Sequence, residues 1–133
     1  MTELHSFTVI ERAADLVMQK SPSTTPNERT LSFVGRPVAE AEHPKDAAID
    51  YLHRQLGFTA IAKPDLREFK QLSYHGKIGF FFKLAIPGDT EIKSLESLAE
   101  PEFTIRSYWD LYDDLQQNKL MELSRLYAER HLV

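Results

Sequence analysis

The chain has 133 residues, of which 42% are hydrophobic and 27% charged, with a formal charge of −4 and no cysteine. That is one domain's worth of globular sequence, and it excludes a disulfide framework and a thiolate metal site, while the acidic balance disfavours nucleic acid as a partner. No apolar run approaches the roughly 20 residues a membrane helix needs, and the opening Met1-Thr-Glu-Leu-His5 has neither a basic nor an apolar leader region, so a single cytoplasmic domain over residues 1–133 and no membrane partner are expected.

In chain order, Leu4 to Lys20 fits two patterns. Phe7, Val9 and then Leu16, Val17, Met18 suit two strands, while Phe7, Ile10, Ala14 and Val17 keep helical spacing. Ser21 to Asn27 holds two prolines and four Ser or Thr, the composition of a solvated loop. Leu31 to Val34 predicts a short strand leading into Gly35-Arg36-Pro37. Pro44 suits a first helical position, where its missing N–H costs nothing, and Gly57 suits the left-handed position past the end. A helix over Pro44 to Leu56 follows, with Ala48, Ile49, Leu52 and Leu56 on its apolar side.

The run from Glu42 through Pro44, Ala47-Ala48-Ile49 and Leu52 to Gly57-Phe58 resembles the Nudix hydrolase signature, G-x5-E-x7-R-E-U-x-E-E-x-G-U with U apolar. Anchored on Gly57, the signature's leading Gly falls on Arg36, its first Glu on Glu42, its Arg-Glu pair on Asp50-Tyr51 and its Glu-Glu pair on Arg54-Gln55. The resemblance implies a single-domain α/β fold, a mixed sheet between helices in an α/β/α sandwich. It resolves residues 4–20 in favour of strands. It also implies an activity, cleavage of a diphosphate by divalent cations held on helix carboxylates, which the residues here do not support. The side of the helix that should carry those acids reads Ala47, Tyr51, Arg54 and Gln55, with no anion and one fixed cation.

A third arc, Asp46, Asp50 and His53, is a thin ligand set on a solvated face. The histidines His5, His43, His53, His75 and His131 share no metal-binding spacing.

Past the helix, Phe58 to Ala62 suggests a strand and Lys63-Pro64-Asp65 a turn. Leu66 to Tyr74 and Lys77 to Ile86 read as a hairpin closed at His75-Gly76, and the run Phe80-Phe81-Phe82 as a strand covered on both faces. Thr90 to Glu102 is an acidic connection and Phe103 to Ile105 a brief strand. Ser107-x-x-Asp110 is a capping-box variant opening helices that continue to the C-terminus, with a break at Gln116-Gln117-Asn118.

Three functions remain open. The first is a Nudix-like domain without hydrolysis, a ligand-binding or regulatory module in which Arg36, Tyr51, Arg54 and Gln55 receive a small phosphorylated or anionic ligand and no cofactor is needed. The second is a hydrolase of a nucleoside diphosphate derivative, with Glu40, Glu42 and acids of the 90–102 segment holding Mg²⁺ or Mn²⁺. The third is protein association, including a homo-oligomer, through Trp109, Tyr112, Leu120, Leu123, Leu126 and Tyr127.

Overall fold

A computed structural model describes residues 2–20, 30–56, 66–88 and 102–132. The expected loop at 21–27, the strand and turn at 58–65, the Gly57 stop and the connection from Thr90 lie outside these residues. The first ambiguity resolves to strands, β1 (Glu3–Arg12) and β2 (Asp15–Lys20), which turn at Ala13 with φ 55°. Then follow β3 (Leu31–Pro37), α1 (Pro44–Leu56), β4 (Arg67–Tyr74), β5 (Lys77–Ile86), β6 (Glu102–Ser107), α2 (Tyr108–Gln116) and α3 (Glu122–His131).

The described strands form one mixed sheet of six in the order β4-β5-β1-β3-β2-β6. β1 runs parallel to β5 along its whole length, from Glu3↔Lys77 to Arg12↔Ile86. β4 and β5 join at His75-Gly76, with φ of 47° and 79°, the two positive values that a turn matched to the strand twist demands. β1, β2 and β3 pair with one another, all antiparallel, through Ile10↔Val17, Phe7↔Gly35 and Met18↔Phe33. Three strands cannot be mutually antiparallel in a flat sheet. They splay from a common point, each giving one half to each neighbour.

β3 therefore does not stop at Val34. The expected strand end at Val34 is corrected: Gly35-Arg36-Pro37 continues the strand, paired with His5 to Phe7. Gly35 allows it, because a Cβ there would meet the Ser6 carbonyl oxygen and lie 2.8 Å from Phe7 Cα. The strand at 103–105 likewise extends, to Glu102–Ser107.

Alternation along the strands feeds two cores, one on each face of the sheet. Ile10, Val17, Val34, Phe82 and Leu84 pack with Ala48, Leu52 and Leu56 of α1. Phe7, Leu16, Met18, Phe33 and Phe81 pack with Leu111 of α2 and Leu123, Tyr127 and Ala128 of α3. Phe81 sits fully buried, stacked on Phe7 at 5.0 Å and on Tyr127 at 4.5 Å between ring centroids. The phenylalanine run is thus covered on both sides, as its composition predicted, and the single α/β domain is a three-layer sandwich.

Ser107 opens α2 with a reciprocal capping box: its Oγ accepts from Asp110 N at 3.0 Å and Asp110 Oδ2 accepts from Ser107 N at 3.1 Å. The helix ends at Gln116, and Asn118 turns the chain with φ 58°. Lys119 O accepts from Leu31 N and Leu31 O accepts from Met121 N, fastening the start of α3 to β3. Buried Asp114 receives two bonds from Arg106, at 2.9 and 3.0 Å, so its charge is paired. Of the apolar set considered for association, Leu120, Leu123 and Tyr127 are buried in the protein's own core and Leu126 packs against it, while Trp109 and Tyr112 are exposed.

Candidate functional site

α1 forms as its punctuation predicts, with Pro44 first and Asp46 in the first turn. Its packing is wider than its apolar arc suggests. Ala47 and Tyr51, on the side where the signature carries metal carboxylates, are buried against the sheet along with Ala48, Leu52 and Leu56. Tyr51 donates its hydroxyl to Gln19 Oε1 at 2.8 Å, and burial pushes the phenol up to about 12, so it remains a neutral donor.

The charged residues at this end close on each other. Arg36 gives two parallel bonds to Glu42, at 2.9 and 2.8 Å, a third to Asp50 at 3.2 Å and a fourth to the Pro37 carbonyl at 2.9 Å. Arg54 Nε donates to Asp50 Oδ1 at 2.9 Å across one helical turn. The hydrogen bonds from Arg36, with one from Ala39 N, hold the Glu42 carboxyl down at about 2. The signature positions of Gly, Glu and Arg are filled by Arg36, Glu42 and Asp50, and these three meet. The cation of this set stands on β3, where the signature has its arginine on the helix.

A divalent ion does not fit here. The three metal-carboxylate positions offer a neutral phenol, a guanidinium and an amide, and the two nearby acids, Glu42 and Asp50, are neutralised by arginines. Among the described residues no group of three or more His, Asp or Glu side chains gathers around one point. Glu40, the other acid before α1, is exposed.

Gln19, which carried no motif, organises the junction of the three strands. Its Oε1 accepts from Tyr51 and from Gly35 N at 3.3 Å, and its Nε2 donates to Gly35 O at 2.9 Å. A side-chain amide thereby stands in for a neighbouring strand where β2 and β3 part. Sequence patterning gives Gln no distinguishing signal; only an apolar strand interrupted by an amide, Leu16-Val17-Met18-Gln19, marks the position.

Beside this junction lies a cavity of about 370 Å³, between the β1–β3 ladder and the start of α3. Phe7, Pro37, Met121 and Leu123 supply its apolar wall, and His5, Gln19, Arg36, Lys77, Glu122 and Ser124 its polar groups. Of the four residues expected to receive a ligand, Arg36 lines it. Tyr51 is buried beside Gln19, and Arg54 and Gln55 occupy the last turn of α1, Arg54 largely in solvent. His5, Gln19, Lys77 and Ser124 were not anticipated.

No family model matches the sequence, and no curated protein matches it. Solved structures do. A bifunctional NMN adenylyltransferase/ADP ribose pyrophosphatase from Francisella tularensis is 11% identical with a TM-score of 0.73, over 98% of this chain and 41% of that one, so this chain spans about two fifths of that protein's length. The C-terminal domain of mouse MUTYH, in complex with human PCNA, is 13% identical with a TM-score of 0.69, over 98% and 86%. A mutT/nudix family protein from Listeria innocua is 16% identical with a TM-score of 0.64, over 98% of both chains. At these identities the likeness shows the fold, and the chain has a Nudix-like fold.

Proposed function

We propose that this protein is a Nudix-like domain that has lost metal-dependent diphosphate hydrolysis and binds a small anionic ligand as a cytoplasmic binding or regulatory module. The observation that carries this reading is the replacement of the metal carboxylates by Tyr51, Arg54 and Gln55, together with the closure of Glu42 and Asp50 onto Arg36. A guanidinium repels a metal ion and attracts an anion, while a neutral phenol and amide supply none of the negative charge that a divalent ion needs. Arg36 and Lys77 face the same cavity, and Arg54 is linked to Arg36 through Asp50. A volume of about 370 Å³ is within the range of small-ligand sites.

The test separates binding from turnover. The protein is incubated with a panel of nucleoside diphosphate compounds, ADP-ribose among them, with Mg²⁺ or Mn²⁺ for product release and with EDTA for thermal shift. The expected result is no turnover and a rise in melting temperature in EDTA that Lys77→Ala or Arg54→Ala diminishes. Turnover that disappears in Glu42→Gln would overturn the proposal in favour of a hydrolase with carboxylates outside the usual positions.

A second reading is favoured by one observation: Trp109 is 82% exposed and Tyr112 44% exposed on α2. Such rings suit a protein partner or a second copy of the chain. One of the similar structures is itself a domain in a protein complex. A concentration-independent monomer in sedimentation would remove the second-copy form of this reading.

A further inference from the structure

Resting on the ligand-binding reading above, we infer that the cavity holds its ligand by an oxyanion, a carboxylate or phosphoryl group, seated against the N-terminus of α3 and held without a metal ion. The polar groups on this wall have donors to spare. Ser124 is fully buried, and its Oγ accepts from Phe33 N at 3.1 Å, which leaves the hydroxyl proton without an acceptor. Gln19 is 9% exposed, and with one Nε2 hydrogen on Gly35 O and both acceptor positions of Oε1 filled, its second Nε2 hydrogen is unspent. His5 Nε2 is buried without a hydrogen-bond partner; its 3.0 Å approach to Glu3 does not make one.

Buried donors left unpaired cost free energy, and an acceptor-rich group relieves that cost at several of them together. The helix adds to this. α3 has ten residues, and its N-cap, Met121, makes no side-chain capping bond. The first intrahelical bond is Arg125 N to Met121 O, so the Leu123 and Ser124 amides have no acceptor within the helix. They present a partial positive charge at the cavity wall.

Two cations reinforce it unequally. Arg36 has four of its bonds committed to Glu42, Asp50 and Pro37, so it contributes charge more than contact. Lys77 enters no ion pair among the described residues and is available to the ligand. The acid of the cavity, Glu122, has an interaction of its own within the protein. Phe7, Pro37 and Met121 then bound an apolar remainder of the ligand.

Met121→Asp tests this directly. Met121 already has the extended backbone of an N-cap, φ −65° and ψ 153°, so aspartate there caps α3 with its own carboxylate and competes with the ligand's. Amide chemical shifts are followed by NMR in EDTA while inorganic phosphate, pyrophosphate or acetate is added. Saturable shifts of the Leu123 and Ser124 amides and of the Gln19 side-chain amide are expected. In Met121→Asp, affinity should fall tenfold or more while the melting temperature rises. Saturation by phosphate or pyrophosphate alone identifies a phosphoryl ligand, and by acetate alone a carboxylate. Saturable shifts confined to Lys77 or Arg54, with Met121→Asp binding as tightly, would overturn the subsite and leave the binding function standing. No saturable shift with any anion, and no thermal shift with the nucleoside diphosphate panel, would overturn both.

Discussion

The two faces of the sheet treat polar groups in opposite ways. At α1, where the signature would place catalysis, Arg36, Glu42, Asp50 and Arg54 form a closed set in which each charge answers another. At the start of α3, Ser124, Gln19 and His5 keep capacity unspent beside a cavity. A closed network stabilises a fold and has little left for a ligand; an open one gives up some stability and can recover it on binding. The difference teaches that a signature's frame and its chemistry are separable, because the residues that pack α1 lie on a different arc from those that would bind metal.

The position shared by both faces gives the largest way to break this comparison. Gly35→Ala drives a methyl group into the Ser6 carbonyl and against Phe7 Cα, so the β1–β3 ladder must part. Stability should fall by about 4 kcal/mol or more in denaturant unfolding, because the obstruction is backbone that no rotamer change relieves. A loss under about 1 kcal/mol would mean that the three-strand junction yields more easily than its packing implies.

Gln19→Leu comes next. It orphans the Gly35 N–H and carbonyl and the Tyr51 hydroxyl at once, a cost of about 3 kcal/mol. Tyr51→Phe should cost about 1 kcal/mol in the native background and close to nothing after Gln19→Leu, where the hydroxyl has already lost its partner. Equal costs in the two backgrounds would show that the amide does not hold the phenol.

The smallest effect sharpens the α1 end. Arg36→Gly leaves Glu42 and Asp50 without their shared cation, and Asp50→Arg sets a third arginine beside Arg36 and Arg54, so both single variants should melt lower. The double variant restores the signature's Gly, Glu and Arg and should melt above either single one. The same pair sets an acid limb. Glu42 is held below its ordinary 4.5 at about 2, so its contribution is full above pH 4.5 and lost as pH falls towards 2. Arg36→Gly should flatten stability over that window, and high salt should do so partly, since solvent reaches the pair. An unchanged acid limb in Arg36→Gly would sink the assignment.

Much of the fold was legible because its signals are local. Pro44 at a helix start, the paired turn residues His75-Gly76 and the Ser107 to Asp110 spacing each act within a few residues, and each produced its element where expected. The β3 extension was not legible. Gly35-Arg36-Pro37 has a turn's composition, and pairing with β1, which no local pattern encodes, overrides it. The site was legible in what it lacks and less so in what it holds. Tyr51, Arg54 and Gln55 could be seen to replace carboxylates, but a helical arc does not reveal that Tyr51 points into packing while Arg54 stands in solvent.

By itself the sequence determined α1, the β4–β5 hairpin and the capped start of α2, and the absence of acids from the signature's metal positions, since these depend on residue identity and short spacing. Only the tertiary structure decided that Arg36, Glu42 and Asp50 meet, that Gln19 bridges to Gly35 and Tyr51, and that an uncapped α3 opens on a cavity. Those contacts join residues brought together by the register of β1, β2 and β3. That register is set by the burial of whole strands rather than by any stretch of sequence that could be read alone.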